Sequence, residues 1–342
     1  MQTKAAILVN INQLVVDEIT LPPLKSGQVL VEVHYSGVCH TQLLEVRGRR
    51  GEDPYLPHCL GHEGSGTVLE IGPKVEKVKP GDRVILSWIK GAGANVLGAQ
   101  FDWKGRQVNA GAITTFSRHS ILSENRVTPI SKEFPLKEAS LLGCAIPTGL
   151  GVVFNTAKPQ AGQSMAVFGC GGIGLCAVKG ASIAGCVPII AIDIHPSKLQ
   201  AAKLMGATHI IDATKEDPVE AIKKIAVLDF SIEASGSPIA MNQALRSVRP
   251  QGGTAVVVGN APYGQQVALD PKEFNQGKRI LGTWGGDNMP DIHYPRYCNL
   301  IHYKQLDAAP MLGKSYALDE VEKALCDLEQ GITIRPIIDM SL

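Results

Sequence analysis

The feature that most constrains this chain is a run of glycines between an apolar strand and a helix. Ser164-Met165-Ala166-Val167-Phe168 reads as a buried strand, Gly169-Cys170-Gly171-Gly172-Ile173-Gly174 follows, and Ile173 to Ala184 reads as a helix. Without a Cβ, glycine lets backbone come close to a pyrophosphate. The helix N-terminus behind it adds N–H donors and partial positive charge. The spacing fits G-x-G-x-x-G, with Gly172 as an additional glycine. The next strand, Val187-Pro188-Ile189-Ile190-Ala191-Ile192-Asp193, ends in an acid 19 residues beyond Gly174. An acid there can accept from both adenosine ribose hydroxyls and repels a 2′-phosphate, so NAD is expected over NADP. Lys198, one helical turn further, can reach the same ribose. The candidate cofactor contacts are therefore Gly169, Gly171, Gly172, Ile173, Gly174, Asp193 and Lys198.

The texture around this loop is strictly alternating. Strands are expected at 209–212, 228–234, 254–259 and 279–284. Helices are expected from Pro196 to Gly206, Asp217 to Ala226 and Pro238 to Val248. Such alternation predicts an α/β fold with a doubly wound parallel sheet. The earlier part of the chain is different. Residues 27–35, 66–72 and 83–88 alternate with period two, and Gly72-Pro73 and Lys79-Pro80-Gly81-Asp82 punctuate them as turns. That pattern predicts a small irregular β-barrel. Beyond Gly285 the pattern breaks: residues 287–297 are polar, aromatic and proline-punctuated, and within them Asp287 to Asp291 reads as surface loop, with a lining for a hydroxyl-rich substrate as the alternative. Asp319 to Gln330 reads as a helix with Val321, Ala324, Leu325 and Leu328 as its apolar stripe. A chain of 342 residues calls for two cores. The expected division is 1–147 with 286–342 as the barrel domain, and 148–285 as the nucleotide domain.

Composition narrows the function. The formal net charge is +1 and the charges are dispersed, which argues against nucleic acid or an anionic membrane as partner. No apolar stretch reaches the ~20 residues needed to cross a bilayer. The opening residues Met1 to Val9 read as a strand, without the apolar region of a signal peptide. The eight cysteines form no C-x-x-C pair. Reduced thiols in the cytoplasm are the expectation.

Some of those thiols sit near other metal-ligand chemistry. Cys39 lies in Gly37-Val38-Cys39-His40-Thr41, His62 and Glu63 in Gly61-His62-Glu63-Gly64, and Cys144 in Gly143-Cys144-Ala145-Ile146-Pro147-Thr148-Gly149. Zinc takes Cys, His and carboxylate ligands, and a catalytic zinc keeps one position open for substrate. The spacings do not prove convergence, and His58 and Cys59 stand as rival ligands beside His62.

These motifs, with Lys79-Pro80-Gly81-Asp82-Arg83-Val84, the glycine loop and Ile192-Asp193-Ile194, resemble the zinc-dependent medium-chain alcohol dehydrogenase family over essentially the whole chain. The branch that includes glutathione-dependent formaldehyde dehydrogenase is nearest in wording. The resemblance implies a GroES-like β-barrel catalytic domain beside a Rossmann domain, and hydride transfer between an alcohol and NAD. It implies Cys39, His62 and Cys144 as catalytic zinc ligands, with Glu63 as a carboxylate able to approach the metal. It places His40 and Arg335 at the pyrophosphate, Thr148 beside the nicotinamide and Val258 among the cofactor contacts. Thr41 takes the substrate hydroxyl proton, and Trp88 and Phe116 wall the substrate pocket, although Trp88 suits barrel core nearly as well. A small alcohol, aldehyde or ketone is the implied substrate, with a polyol or sugar derivative left open, and a homodimer or homotetramer the implied assembly.

Two departures stand out. No cysteine lies between Cys59 and Cys144, where the family often carries a four-cysteine lobe for a structural zinc, so one zinc per subunit is expected. The missing lobe also argues against a glutathione adduct. At the position after Thr41, where a carboxylate usually orients the zinc histidine, this chain has Gln42, and at the position of a proton-relaying histidine it has Leu44. A zinc-free quinone or enoyl reductase and a catalytically silent NAD(H)-binding protein are the competing readings.

Overall fold

The computed structural model describes all 342 residues as two compact units. One comprises Met1–Cys144, Met289–Tyr303 and Leu312–Leu342; the other comprises Ala145–Asn288 and Lys304–Met311. Lys304–Met311 thus groups with the nucleotide unit, whereas the sequence reading assigned it to the barrel domain.

The first unit is built from strands β1 (Gln2–Asn10), β2 (Gln13–Thr20), β3 (Gln28–Gly37), β4 (His58–Cys59), β5 (Glu63–Ile71), β6 (Arg83–Ser87), β7 (Gln100–Trp103), β8 (Arg106–Asn109), β9 (His119–Ser123) and β10 (Val127–Ile130). A closed barrel runs β1-β2-β7-β8-β4. Beside it lies a sheet in which β10, β6, β5 and β3 are successive neighbours, with β9 also paired to β3. Inward-facing residues of these strands, among them Val29, Val31, Val33, Val68, Val84 and Leu86, form one core.

The hairpin of β7 and β8 lies between Cys59 and Cys144, beyond the last strand expected there, at 83–88. Its turn places Lys104 at φ 54° and Gly105 at φ 82°, the two positive values that a tight two-residue hairpin turn requires. Phe101 and Val108 point inward and are buried, and Trp103 Nε1 donates to Asp17 Oδ2 at 2.9 Å. The adjoining loop is held by Glu124, whose carboxylate accepts from the backbone N–H of Glu76, Lys77 and Ala94 at 2.7, 2.8 and 2.7 Å.

Residues 290–302 are a helix, Pro290–His302, which was not expected from the sequence and which takes in Pro290 and Asp291 from the stretch read as loop. Proline opens it, as suits a first helical position, and His293, Tyr294 and Tyr297 are its buried face. Tyr294 is fully buried, with its hydroxyl 2.7 Å from Ser87 Oγ.

The second unit contains β11 (Met165–Phe168), β12 (Ile189–Asp193), β13 (His209–Asp212), β14 (Phe230–Glu233), β15 (Thr254–Val257) and β16 (Arg279–Gly282). They form one parallel sheet in the order β13-β12-β11-β14-β15-β16. The order reverses between β11 and β14, which is where a doubly wound sheet opens a crevice at its carboxyl edge. Two further short strands, β17 (Ser315–Tyr316) and β18 (Ile337–Asp339), return to the first unit, and β18 pairs with β3. No helix is long and apolar enough to cross a membrane.

Candidate functional site

In the first unit the end of β3, the start of β5 and the segment before the helix Ala145–Gly151 bring Cys39, His62 and Cys144 together. One ligand atom from each lies within 4.8 Å of the others. Close backbone approach makes this possible. A Cβ on Gly37 would stand 2.2 Å from Glu63 Oε1, so the carboxylate occupies the space a side chain there would need. His62 Nδ1 contacts the Gln42 amide nitrogen, whereas its Nε2 is buried with no hydrogen-bond partner. That leaves Nε2 as the imidazole's ligand atom.

The electrostatics of the cluster call for a cation. Cys144 at its side drives the Cys39 thiol well below its ordinary value, with help from the Arg335 guanidinium and His62 and against the opposing effect of burial. Cys144 moves well up, because Cys39 and burial both oppose a second thiolate. Burial disfavours a charged His62, but Cys39 and Glu63 outweigh it and its value rises. Glu63 is completely buried and pairs with Arg335, itself 3 % exposed. Ligation of a metal would require both sulfurs as thiolates, and these with the Glu63 carboxylate against the Arg335 guanidinium would give a formal charge of minus two, which a divalent ion cancels. Soft sulfurs, an orphaned imidazole nitrogen and this charge deficit fit zinc.

The rival ligands are removed by geometry. His58 Nε2 sits 2.9 Å from Asp53 Oδ2 and its Nδ1 2.9 Å from the Cys59 carbonyl. Cys59 packs in the barrel core, where burial pushes its thiol up to about 12.

Thr41 Oγ1 lies 3.7 Å from Cys39 Sγ on the helix His40–Val46, whose first residue, His40, is exposed. Trp88 is half-buried at the end of β6. Phe116 has no exposed surface and packs in the barrel core with Leu8, Leu60 and Leu122, which corrects its placing as a pocket wall. Arg335 is the buried partner of Glu63 beside the thiols, and nothing in the sequence linked these two positions.

In the second unit the glycine loop joins β11 to the helix Gly172–Ile183, with Gly171 at its N-cap. Gly169 has φ 89°, and a Cβ there would stand 2.7 Å from Ser235 N, so only glycine fits. Asp193 Oδ2 accepts from Cys170 N at 2.7 Å and Oδ1 from His195 N at 2.9 Å. The acid at the end of β12 therefore braces the loop as well as standing where a ribose acceptor is expected. Lys198 is half-buried on the next helix. Val258 follows β15, with its N–H on the Glu233 carbonyl at 2.8 Å. Thr148 is buried in the helix Ala145–Gly151, with a hydroxyl that makes no hydrogen bond.

Residues 25–132 match the alcohol dehydrogenase GroES-like domain, and residues 172–301 the zinc-binding dehydrogenase domain. The chain is 33 % identical to the S-(hydroxymethyl)glutathione dehydrogenase of Photobacterium damsela subsp. piscicida, over 94 % of this chain and 95 % of that protein. With its namesake from Synechocystis sp. it shares 32 % identity over 99 % of this chain and 100 % of the other. The chain belongs to the zinc-dependent medium-chain alcohol dehydrogenase family. Among solved structures, benzyl alcohol dehydrogenase from Acinetobacter calcoaceticus superposes on this family member with a TM-score of 0.90 at 32 % identity, covering 99 % of both chains. The family binds zinc and NAD(P), which agrees with the sulfur cluster in one unit and the glycine loop in the other.

Proposed function

We propose that this chain is an NAD-dependent alcohol dehydrogenase that exchanges a hydride between the cofactor and a primary or secondary alcohol. The observation that carries the reading is the convergence of Cys39, His62 and Cys144 around a buried imidazole nitrogen with no partner. These three residues would hold zinc, which when bound polarises an oxygen and makes a hydroxyl proton easier to remove. Thr41, beside Cys39, receives that proton at Oγ1. Its onward route differs from a histidine relay, because the residue three positions later is Leu44. Glu63 and Arg335 keep the site's charge balanced while water is excluded. The loop from Gly169 to Gly174 offers N–H groups to the pyrophosphate, and Asp193 disfavours a 2′-phosphate.

The polar residues after Gly285 give little support to a hydroxyl-rich substrate. Asn288 Nδ2 bonds the carbonyls of Pro147 and Gly285, both at 2.6 Å. Asp287 bonds Thr156 at 2.5 Å, and Asp291 holds Ala92 N at 2.5 Å and pairs with Lys77. Their hydrogen-bonding groups are engaged within the fold, and Trp88 is the aromatic candidate for the pocket wall. An alcohol with an apolar or aromatic tail is therefore favoured over a polyol or a glutathione adduct. Eight cysteines that form no disulfide suit a reducing compartment such as the cytoplasm. A homodimer or homotetramer is favoured by β16, an edge strand that leaves Leu281 41 % and the following Trp284 75 % exposed.

The test is NADH absorbance with benzyl alcohol, sorbitol and S-(hydroxymethyl)glutathione, with and without prior removal of metal by a chelator. Chelator-sensitive NADH formation from benzyl alcohol is expected. Turnover that survives complete metal removal would refute the reading, as would absence of turnover with every alcohol by zinc-loaded protein.

A further inference from the structure

Glu233 ends β14 at the carboxyl edge of the parallel sheet and is completely buried. Its Oε1 gathers three donors: Ser235 N–H at 2.7 Å, Ser235 Oγ at 2.6 Å and Gly236 N–H at 2.8 Å. Its Oε2 has no hydrogen-bond partner. The side chain thus bends back onto the turn that follows it, and two backbone N–H groups of that turn depend on it for their acceptor.

The turn is packed on both sides. Toward β11, Ala234 N–H donates to the Phe168 carbonyl at 2.8 Å, and a Cβ on Gly169 would stand 2.7 Å from Ser235 N. Toward β15, a Cβ on Gly259 would stand 2.7 Å from Glu233 Oε2, and one on Gly236, at φ 75°, would collide with the Asn260 carbonyl. Glycines at 169, 236 and 259 therefore let three backbone segments close around one carboxyl group. These segments follow β11, β14 and β15 and form the rim of the crevice at the carboxyl edge.

A doubly wound sheet takes one mononucleotide half of its ligand on each side of the switch point. Asp193, at the end of β12, marks the adenosine side. Glu233 stands at the end of β14, on the opposite side of β11 and against the other half. Burial outweighs the three donors and raises its carboxyl value, so residue 233 serves the turn as an acceptor oxygen rather than as a charge.

We propose that Glu233 is a positioning residue for the nicotinamide half of the cofactor: it holds the turn 234–237 in the shape against which that half docks. The inference rests on the proposed NAD reading and assigns the second half of the dinucleotide to a particular turn.

The test compares the binding of NADH and of adenosine monophosphate to the full chain by calorimetry. Glu233→Ala should weaken NADH about tenfold or more and leave the monophosphate within about twofold of wild type. Glu233→Gln, which keeps an acceptor oxygen, should bring NADH back to within about threefold. NADH binding by Glu233→Ala equal to wild type would overturn the proposal. So would a parallel loss of both ligands, the mark of a merely structural role, or a Glu233→Gln protein that recovers nothing. Gly236→Ala distorts the same turn without touching the carboxyl group and covers the case in which Glu233→Ala does not fold. The same split between the two ligands is expected of it, and NADH affinity at the wild-type level would again overturn the proposal. Wild type that binds no NADH would instead sink the NAD reading itself.

Discussion

In the barrel unit the chemistry rests on side chains gathered from distant places in the sequence; in the nucleotide unit it rests on consecutive backbone. Cys39, His62, Glu63, Cys144 and Arg335 meet only because β3, β5 and the returning C-terminal segment are folded together. The loop from Gly169 to Gly174 is set by its neighbours in the chain, a strand before and a helix after. The first region should fail through lost ligands and unbalanced charge, and the second through added atoms. The two failures should be separable, since each region belongs to its own unit.

The largest effect is expected from Cys144→Ala. Loss of a ligand should exceed the 10–100-fold penalty, roughly, of losing an outer partner, and remove both bound zinc and turnover. NADH binding, followed by fluorescence, should be unchanged; loss of NADH affinity in a folded variant would break the comparison. Next comes Glu63→Ala, which leaves Arg335 buried without its carboxylate. A buried ion pair broken on one side costs about 3–5 kcal/mol, and urea unfolding should show a loss of that order. A Glu63→Ala protein as stable as wild type would mean that the pair does not govern the site.

Gly169→Ala sharpens the other side. A side chain at φ 89° with Ser235 2.7 Å away strains the loop by roughly 1–3 kcal/mol. NADH affinity should fall while zinc content stays at the wild-type level. The smallest effect concerns the loop that Glu124 holds beside the hairpin of β7 and β8. Burial works to raise the Glu124 value, but the N–H groups of Ala94, Lys77 and Glu76 outweigh it and hold it below the ordinary 4.5. A depressed folded-state value means the contribution is complete above the ordinary value and disappears as pH falls through the folded one. Glu124→Gln should thus lower stability by about 1 kcal/mol at neutral pH, and the gap from wild type should close in acid. A gap that widened on acidification would contradict the assignment.

The nucleotide unit could be read from sequence because each of its signals is local. Apolar strands, proline-opened helices and the glycine run occur in chain order, and the strand expected at 209–212 is observed at His209–Asp212. The barrel unit yielded less. The hairpin of β7 and β8 has four residues in each strand and one buried apolar side chain in each, Phe101 and Val108, and its turn uses Lys104 where Asn or Asp is usual. Too little alternation remains to announce a strand. The helix Pro290–His302 was hidden by its interior Pro295, tolerated here where a propensity argument forbids it. Convergence of the sulfurs came from family resemblance, since nothing in the spacing separates Cys144 from Cys59. The structure separates them physically, by burying Cys59 in the barrel and engaging His58 with Asp53. The Glu63–Arg335 pair spans 272 residues of sequence and had no local signal at all.

Zinc stoichiometry combined with X-ray absorption at the zinc edge tests the central claim most directly. The account predicts one equivalent of zinc per chain, with two sulfur ligands and one imidazole, and loss of one sulfur in Cys144→Ser. Two equivalents per chain, or a zinc shell without sulfur, would contradict it.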